Sequence, residues 1–95
     1  MGVEIDSGTE FMLAEYGVRR GIEMVARDEN ITPVILKDNL KFFMPYSLLM
    51  KEVMDQRLMR LNAQNGNVNP QYRENVTRGV SMLRQAIELG GYGAK

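Results

Sequence analysis

The sequence predicts an all-α domain, a small bundle of about four helices with the third helix central. Apolar residues recur at helical spacing along most of the 95 residues, and signals that start or stop helices divide the chain into four segments. The densest apolar content lies between residues 32 and 61, so we expect the other helices to cover it. Residues 1–95 should form one domain, because a chain of this length buries one modest core, with flexible ends at 1–7 and 91–95.

The first helix is predicted over residues 8–27. Ser7 followed three residues later by Glu10 matches a capping box, in which each side chain accepts a hydrogen bond from the backbone amide of the other residue. One side of this helix carries an apolar stripe that should face the core, formed by Phe11, Ala14, Val18, Ile22 and Val25. An i, i+4 row of alternating charge should support its exposed edge, formed by Glu15, Arg19, Glu23 and Arg27.

A second stripe of the first helix consists of Leu13, Gly17, Gly21 and Met24. Two glycines inside a helix cost about 1 kcal/mol each relative to alanine, so another interaction should offset them. Gly17 and Gly21 lie four residues apart and leave a smooth groove into which another backbone can approach closely. Either a helix of the same chain or a second subunit could fill this groove, and the sequence leaves both readings open.

The second helix is predicted over residues 33–44. Thr32 can cap the first turn, and Pro33 suits the first helical position because it has no amide to leave unpaired. Three apolar residues then share one face at i, i+4, i+7 spacing, namely Leu36, Leu40 and Phe43. The branched residues at 31–36 also suit a short β-strand, which Pro33 disfavours, so the strand stays as the alternative.

The third helix is predicted over residues 47–65. Pro45 disfavours helical geometry at the residue before it, and Ser47 can cap a new helix that Gly66 would end in a left-handed conformation. Its apolar residues cover nearly half of the circumference and are Leu49, Met50, Val53, Met54, Leu58 and Leu61. This breadth is the reason why we expect the third helix to be central.

The fourth helix is predicted over residues 70–89. Asn69 before Pro70 repeats the start signal of the second helix, and Gly90 should end the helix. The apolar residues follow at regular helical spacing and are Tyr72, Val76, Val80, Leu83 and Ile87.

The composition argues against most catalytic chemistry. The chain has no cysteine and no histidine, which removes thiol nucleophiles, disulfides, the commonest general base and the commonest transition-metal ligand. No glycine-rich phosphate loop precedes a helix, and the loop around Gly66 lacks oxygen ligands where a calcium loop needs them. We therefore expect no enzymatic activity, no catalytic residue, no metal site and no cofactor.

The charge distribution is uneven although the net charge is zero. Residues 1–31 hold seven acids and three arginines, a net charge of −4, and the remainder is +4. We therefore expect the first helix to lie against the later ones with complementary fields. No apolar run approaches the roughly 20 residues that span a bilayer, and the first residues are acidic where a signal peptide is basic, so a cytoplasmic protein without membrane contact is expected.

These features favour a protein-protein interaction or assembly module that binds a partner or itself, as a homodimer or higher oligomer. Leu48 and Met59 lie on the polar side of the third helix and are candidates for an exposed apolar contact. The predicted interface joins them with the stripe of the first helix, as Leu13, Gly17, Gly21, Met24, Leu48 and Met59. Assembly proteins of phages or mobile elements are one such class, but no residue specifies that origin.

The alternative is a nucleic-acid-binding regulator. The second and third helices, joined by a tight corner, would then form a helix-turn-helix-like unit. Its phosphate contacts would come from Lys51, Arg57 and Arg60. The predicted recognition helix is mainly apolar and carries Glu52 and Asp55, which weakens this alternative.

Overall fold

The computed structural model describes residues 7–90, except for the side chain of Asn65, and this part of the chain is an all-α bundle. The flexible ends predicted at 1–7 and 91–95 lie outside the described residues apart from Ser7, which is helical. The four α-helices are α1 (Ser7–Arg27), α2 (Pro33–Asn39), α3 (Ser47–Ala63) and α4 (Pro70–Leu89). A 3₁₀ helix at Lys41–Tyr46, here called the 3₁₀ corner, joins α2 to α3, and a shorter 3₁₀ turn at Asn65–Asn67 follows α3.

The helix starts at α2 and α4 confirm the predicted signals. The Thr32 hydroxyl accepts a hydrogen bond from the Ile35 amide at 3.2 Å, and the Asn69 side chain accepts one from the Gln71 amide at 2.8 Å. In both helices the proline follows at the first helical position, where no amide is needed. Residues 31–36 therefore contain the capped start of α2, and no strand occurs within residues 7–90, so the strand alternative is wrong.

The second helix is shorter than predicted and ends at Asn39 rather than at residue 44. Pro45 has no amide to donate, and the chain instead turns through residues 41–46 as a 3₁₀ helix. Ser47 is the first residue of α3 and is buried, so its predicted role as the cap is wrong. Its amide donates to the Met44 carbonyl, which means that the 3₁₀ corner already supplies an acceptor where a cap would be needed.

The end of α3 also differs from the prediction. The helix stops at Ala63 rather than at residue 65, and the Gln64 amide closes the last turn on the Arg60 carbonyl. Gly66 lies inside the following 3₁₀ turn, and its φ lies outside the left-handed region, because the chain continues to turn in the right-handed sense. Gly90 follows α4 as predicted, with a right-handed φ of −84°.

The core lies between the four α-helices and the 3₁₀ corner. The most extensive contact joins α1 to α4, while α2 packs mainly on α4. The third helix contacts α1, α4 and the 3₁₀ corner, in agreement with the central place predicted for it. Most of the predicted apolar faces of α1 and α4 is buried, at Ala14, Val18, Val25, Val76, Val80, Leu83 and Ile87. Phe11 is half-buried, and Tyr72, predicted as the first residue of the α4 face, is 53% exposed.

Three glycines allow the helices to approach closely. A Cβ atom built on Gly21 would lie 2.5 Å from Cδ2 of Leu83 on α4, and one built on Gly79 of α4 would lie 3.0 Å from Cα of Ile22 on α1. A Cβ atom on Gly17 would lie 2.9 Å from Cβ of Phe43 in the 3₁₀ corner. Such distances leave no room for a side chain, so these glycines are required for the packing.

Two arginines of α4 bind the carboxyl ends of neighbouring helices. Arg78 donates to the Val25 carbonyl in the last turn of α1, and Arg73 donates to the Leu61 carbonyl near the end of α3 at 3.2 Å. The last four carbonyls of a helix lack partners within the helix and carry partial negative charge, so a guanidinium is a suitable cap. Through these two bonds α4 fixes the carboxyl ends of α1 and α3.

We predict that Gly79→Ala lowers the free energy of unfolding by about 1–2 kcal/mol. Overpacking against the Ile22 backbone costs about 1–3 kcal/mol, which exceeds the roughly 1 kcal/mol gained in helix propensity. Gly66→Ala is the matched control, because a Cβ atom there meets nothing within 4 Å. Urea denaturation of both variants checks this prediction, and an unchanged or raised midpoint for Gly79→Ala would contradict it.

Candidate protein-interaction site

A group of exposed apolar side chains lies where α1 meets the 3₁₀ corner. The Phe43 ring is buried and packs edge-on against two exposed rings, Tyr16 at 5.5 Å and Phe42 at 5.2 Å between centroids. Met12, one turn before Tyr16 on α1, borders the same cleft as Tyr16. Met12 and Phe42 are each 68% exposed and Tyr16 is 46% exposed. We call Met12, Tyr16 and Phe42 the aromatic patch.

The local backbone explains why these rings reach the surface. Successive residues of a 3₁₀ helix are separated by about a third of a turn, so the adjacent Phe42 and Phe43 point in different directions. Phe43 enters the core because Gly17 lets it press against the bare backbone of α1. Phe42 is thereby left on the outside, and Tyr16, next to Gly17 on α1, covers the edge of the Phe43 ring.

Charged side chains border the patch. A cleft of about 340 Å³ on the outer side of α1 is lined by Thr9, Met12, Leu13, Glu15, Tyr16 and Arg19. The Arg19 guanidinium carbon lies 6.0 Å from the centroid of the Tyr16 ring, at the limit of a cation–π contact. Neither Glu15 nor Glu23 forms an ion pair with another residue in the described range 7–90. The alternating charges predicted along α1 are therefore present, but they do not form i, i+4 ion pairs with one another.

The structure separates the six residues predicted as an interface into three groups. Gly17 and Gly21 are buried under Phe43 and Leu83 of the same chain, so in this structure their groove is filled from within and offers no surface to a second chain. Leu13 and Met24 are half-buried at the edge of the core. Leu48 and Met59 are 60% and 70% exposed and lie eleven residues apart, about three turns, on one side of α3.

The sequence pattern does not predict the aromatic patch. Met12 and Tyr16 fall on neither of the two predicted stripes of α1. Phe42 lies beside the predicted core face of the second helix, and a continuous helix over 33–44 gives no reason to associate it with α1. One signal was available: Met12 and Tyr16 share the i, i+4 spacing that brings side chains together on a helix.

The three basic residues of α3 do not form one surface. Arg57 and Arg60 line a small cleft of about 110 Å³ with Tyr72 of α4. Lys51 precedes Arg60 by nine residues, about two and a half turns, and therefore lies on the other side of the helix. The connection between α2 and α3 is the six-residue 3₁₀ corner rather than a tight turn, and α2 packs mainly on α4.

Another cleft, of about 810 Å³, lies along the first half of α4 and is lined by Gly66, Val68, Pro70, Arg73, Glu74, Thr77, Arg78 and Ser81. Arg73 and Arg78 of this cleft donate to the backbone carbonyls that they cap.

Within residues 7–90, no three side chains of the cysteine, histidine, aspartate or glutamate types come together as a metal-binding group. No helix in this described range combines the length and apolar character needed to traverse a bilayer.

Comparison of the chain with protein-family models, with curated proteins and with solved structures gave no match. The case for a function therefore comes from the residues of this chain.

Proposed function

We propose that this chain is a small, non-enzymatic protein-protein interaction or assembly module that associates with itself through exposed helix surfaces. The observation that carries the proposal is the aromatic patch, in which Met12 and Tyr16 line one cleft of α1 while the exposed Tyr16 and Phe42 rings both pack against Phe43. Clustered exposed apolar groups mark interaction surfaces more often than single exposed residues do.

Burial of the patch would supply a useful driving force. Full burial of a large apolar side chain contributes about 1.5–3 kcal/mol, and tyrosine is among the residues that dominate interface energetics. The Phe43 contact holds both rings in place, so little side-chain freedom is lost when a partner covers them. A domain of this size also leaves a large fraction of its surface unburied by its own fold, which makes association with another chain comparatively favourable.

Leu48 and Met59 belong to the proposal as a second apolar contact on α3. They are exposed on one side of the helix, beside Glu52 and Asp55. Asp55 forms an exposed ion pair of 2.5 Å with Arg84 of α4. A cytoplasmic location remains a prediction, with which the absence of cysteine is consistent.

We predict that Met12→Glu combined with Phe42→Glu abolishes self-association with little change in the melting temperature. Both side chains are mostly exposed, so the charges remain hydrated in the monomer and become unfavourable only when the patch is covered. Size-exclusion chromatography with light scattering at high micromolar concentration gives the mass of each species.

The matched control for the patch is Val34→Glu combined with Leu89→Glu. These residues are also exposed and introduce the same two charges on α2 and at the end of α4, which contribute no residue to the patch. The control should assemble as the wild type does. A wild type that stays monomeric, or equal assembly of both double variants, would contradict the proposal.

The nucleic-acid alternative requires Lys51, Arg57 and Arg60 to bind phosphates together. Because these residues do not share a face, we expect no duplex-DNA binding of the kind whose affinity falls steeply as the salt concentration rises. We also expect that replacing all three residues by glutamine leaves self-association unchanged. Fluorescence anisotropy at 50 and 200 mM salt measures the first expectation. Tight, salt-dependent binding that the triple variant loses would support the alternative.

A further inference from the structure

The outer face of α1 has a charge pattern that is complementary to itself. Its first half, residues 7–16, carries two acids and no base, a net charge of −2. Its second half, residues 17–27, carries three arginines and one glutamate, a net charge of +2. Two copies of α1 in antiparallel orientation would place the acidic half of one against the basic half of the other, whereas a parallel pair would bring like charges together.

Glu15 and Arg19 give this pattern a specific geometry. They lie two residues on either side of Gly17, one turn apart on the same edge of α1, and both line the cleft beside Tyr16. In an antiparallel pair related by a twofold axis, residues on the same edge and at equal distances from the axis face each other. An axis at the level of Gly17 therefore sets Glu15 of each copy opposite Arg19 of the other, twice per dimer.

The side chains needed for these contacts are available. Glu15 has no ion-pair partner among residues 7–90, and Arg19 lies over the Tyr16 ring rather than against a carboxylate. Tyr16, next to Gly17, would lie close to the twofold axis, where interface residues are most fully excluded from water. The 3₁₀ corner, which packs against α1 at Gly17, would place Phe42 of both copies on one side of the paired helices.

On the basis of the proposed self-association, we infer that a second copy of this chain covers the aromatic patch. The two copies form an antiparallel α1–α1 dimer with reciprocal Glu15–Arg19 ion pairs. The charge complementarity selects the second copy over an unrelated partner, and the aromatic patch supplies the apolar centre. A twofold contact of this type closes on itself and stops at the dimer.

A charge-swap experiment tests this geometry with two single variants, Glu15→Arg and Arg19→Glu. Each variant alone should raise the dimer dissociation constant about tenfold or more, because both reciprocal pairs become repulsive. An equimolar mixture should restore dimers to within about threefold of the wild type, because both pairs are again of opposite charge in the heterodimer. Intrachain effects are the same in the mixture as in the separate variants, so recovery reports contacts between chains.

Sedimentation velocity across a concentration series gives the dissociation constants, and native mass spectrometry identifies the heterodimer by mass. Glu88→Arg and Arg60→Glu introduce the same charge changes at exposed positions on α4 and α3 and should dimerise as the wild type does, alone and mixed. The single-variant effect should weaken at high salt, because exposed ion pairs are screened.

The outcomes separate this inference from the proposed function. If the wild type dimerises but the two variants are unaffected, or if their mixture associates no better than either variant alone, the Glu15–Arg19 geometry is wrong and self-association stands. If the wild type remains monomeric at high micromolar concentration, self-association and the inferred dimer are both overturned.

Discussion

The close contact between α1 and α4 is the constraint on which the rest of the fold depends. Gly21 of α1 receives Leu83 of α4, and Gly79 of α4 receives Ile22 of α1, so each helix offers bare backbone to a large side chain of the other. This reciprocal fit brings Arg78 within reach of the Val25 carbonyl at the end of α1. With this pair fixed, α2 packs on α4, and α3 lies against both α1 and α4.

A similar close contact at a glycine determines which side chains of α1 and the 3₁₀ corner remain exposed. Gly17 lets Phe43 press onto α1, which anchors the 3₁₀ corner to that helix and leaves the exposed Tyr16 and Phe42 rings in T-shaped contact with the buried Phe43 ring. Gly17 and Gly21 therefore act inside the monomer, and the aromatic patch remains exposed beside the contact that Gly17 makes with Phe43. A packing requirement of the core thus generates the surface that carries the proposed function.

The sequence was sufficient for the parts of the fold that local chemistry determines. Thr32 with Pro33 and Asn69 with Pro70 define helix starts through bonds within one turn, and the spacing of Val76, Val80 and Leu83 defines a buried face. Helical periodicity does not reveal which neighbour fills a groove, so the partners of Gly17 and Gly21 required the structure. The aromatic patch depends on residues from two elements and on the change from α to 3₁₀ geometry before Pro45, which no local pattern specifies.

A double-mutant cycle on Gly21 and Leu83 tests most directly whether the glycine groove is filled from within the chain. The Cβ atom of Gly21→Ala would collide with three atoms of the Leu83 side chain that Leu83→Ala removes. In the wild-type background, Gly21→Ala should lower the free energy of unfolding by about 1–2 kcal/mol. In the Leu83→Ala background, the same substitution should raise the free energy of unfolding by up to about 1 kcal/mol, because only the gain in helix propensity remains. An effect of the same sign and size in both backgrounds, measured by urea denaturation, would contradict the account.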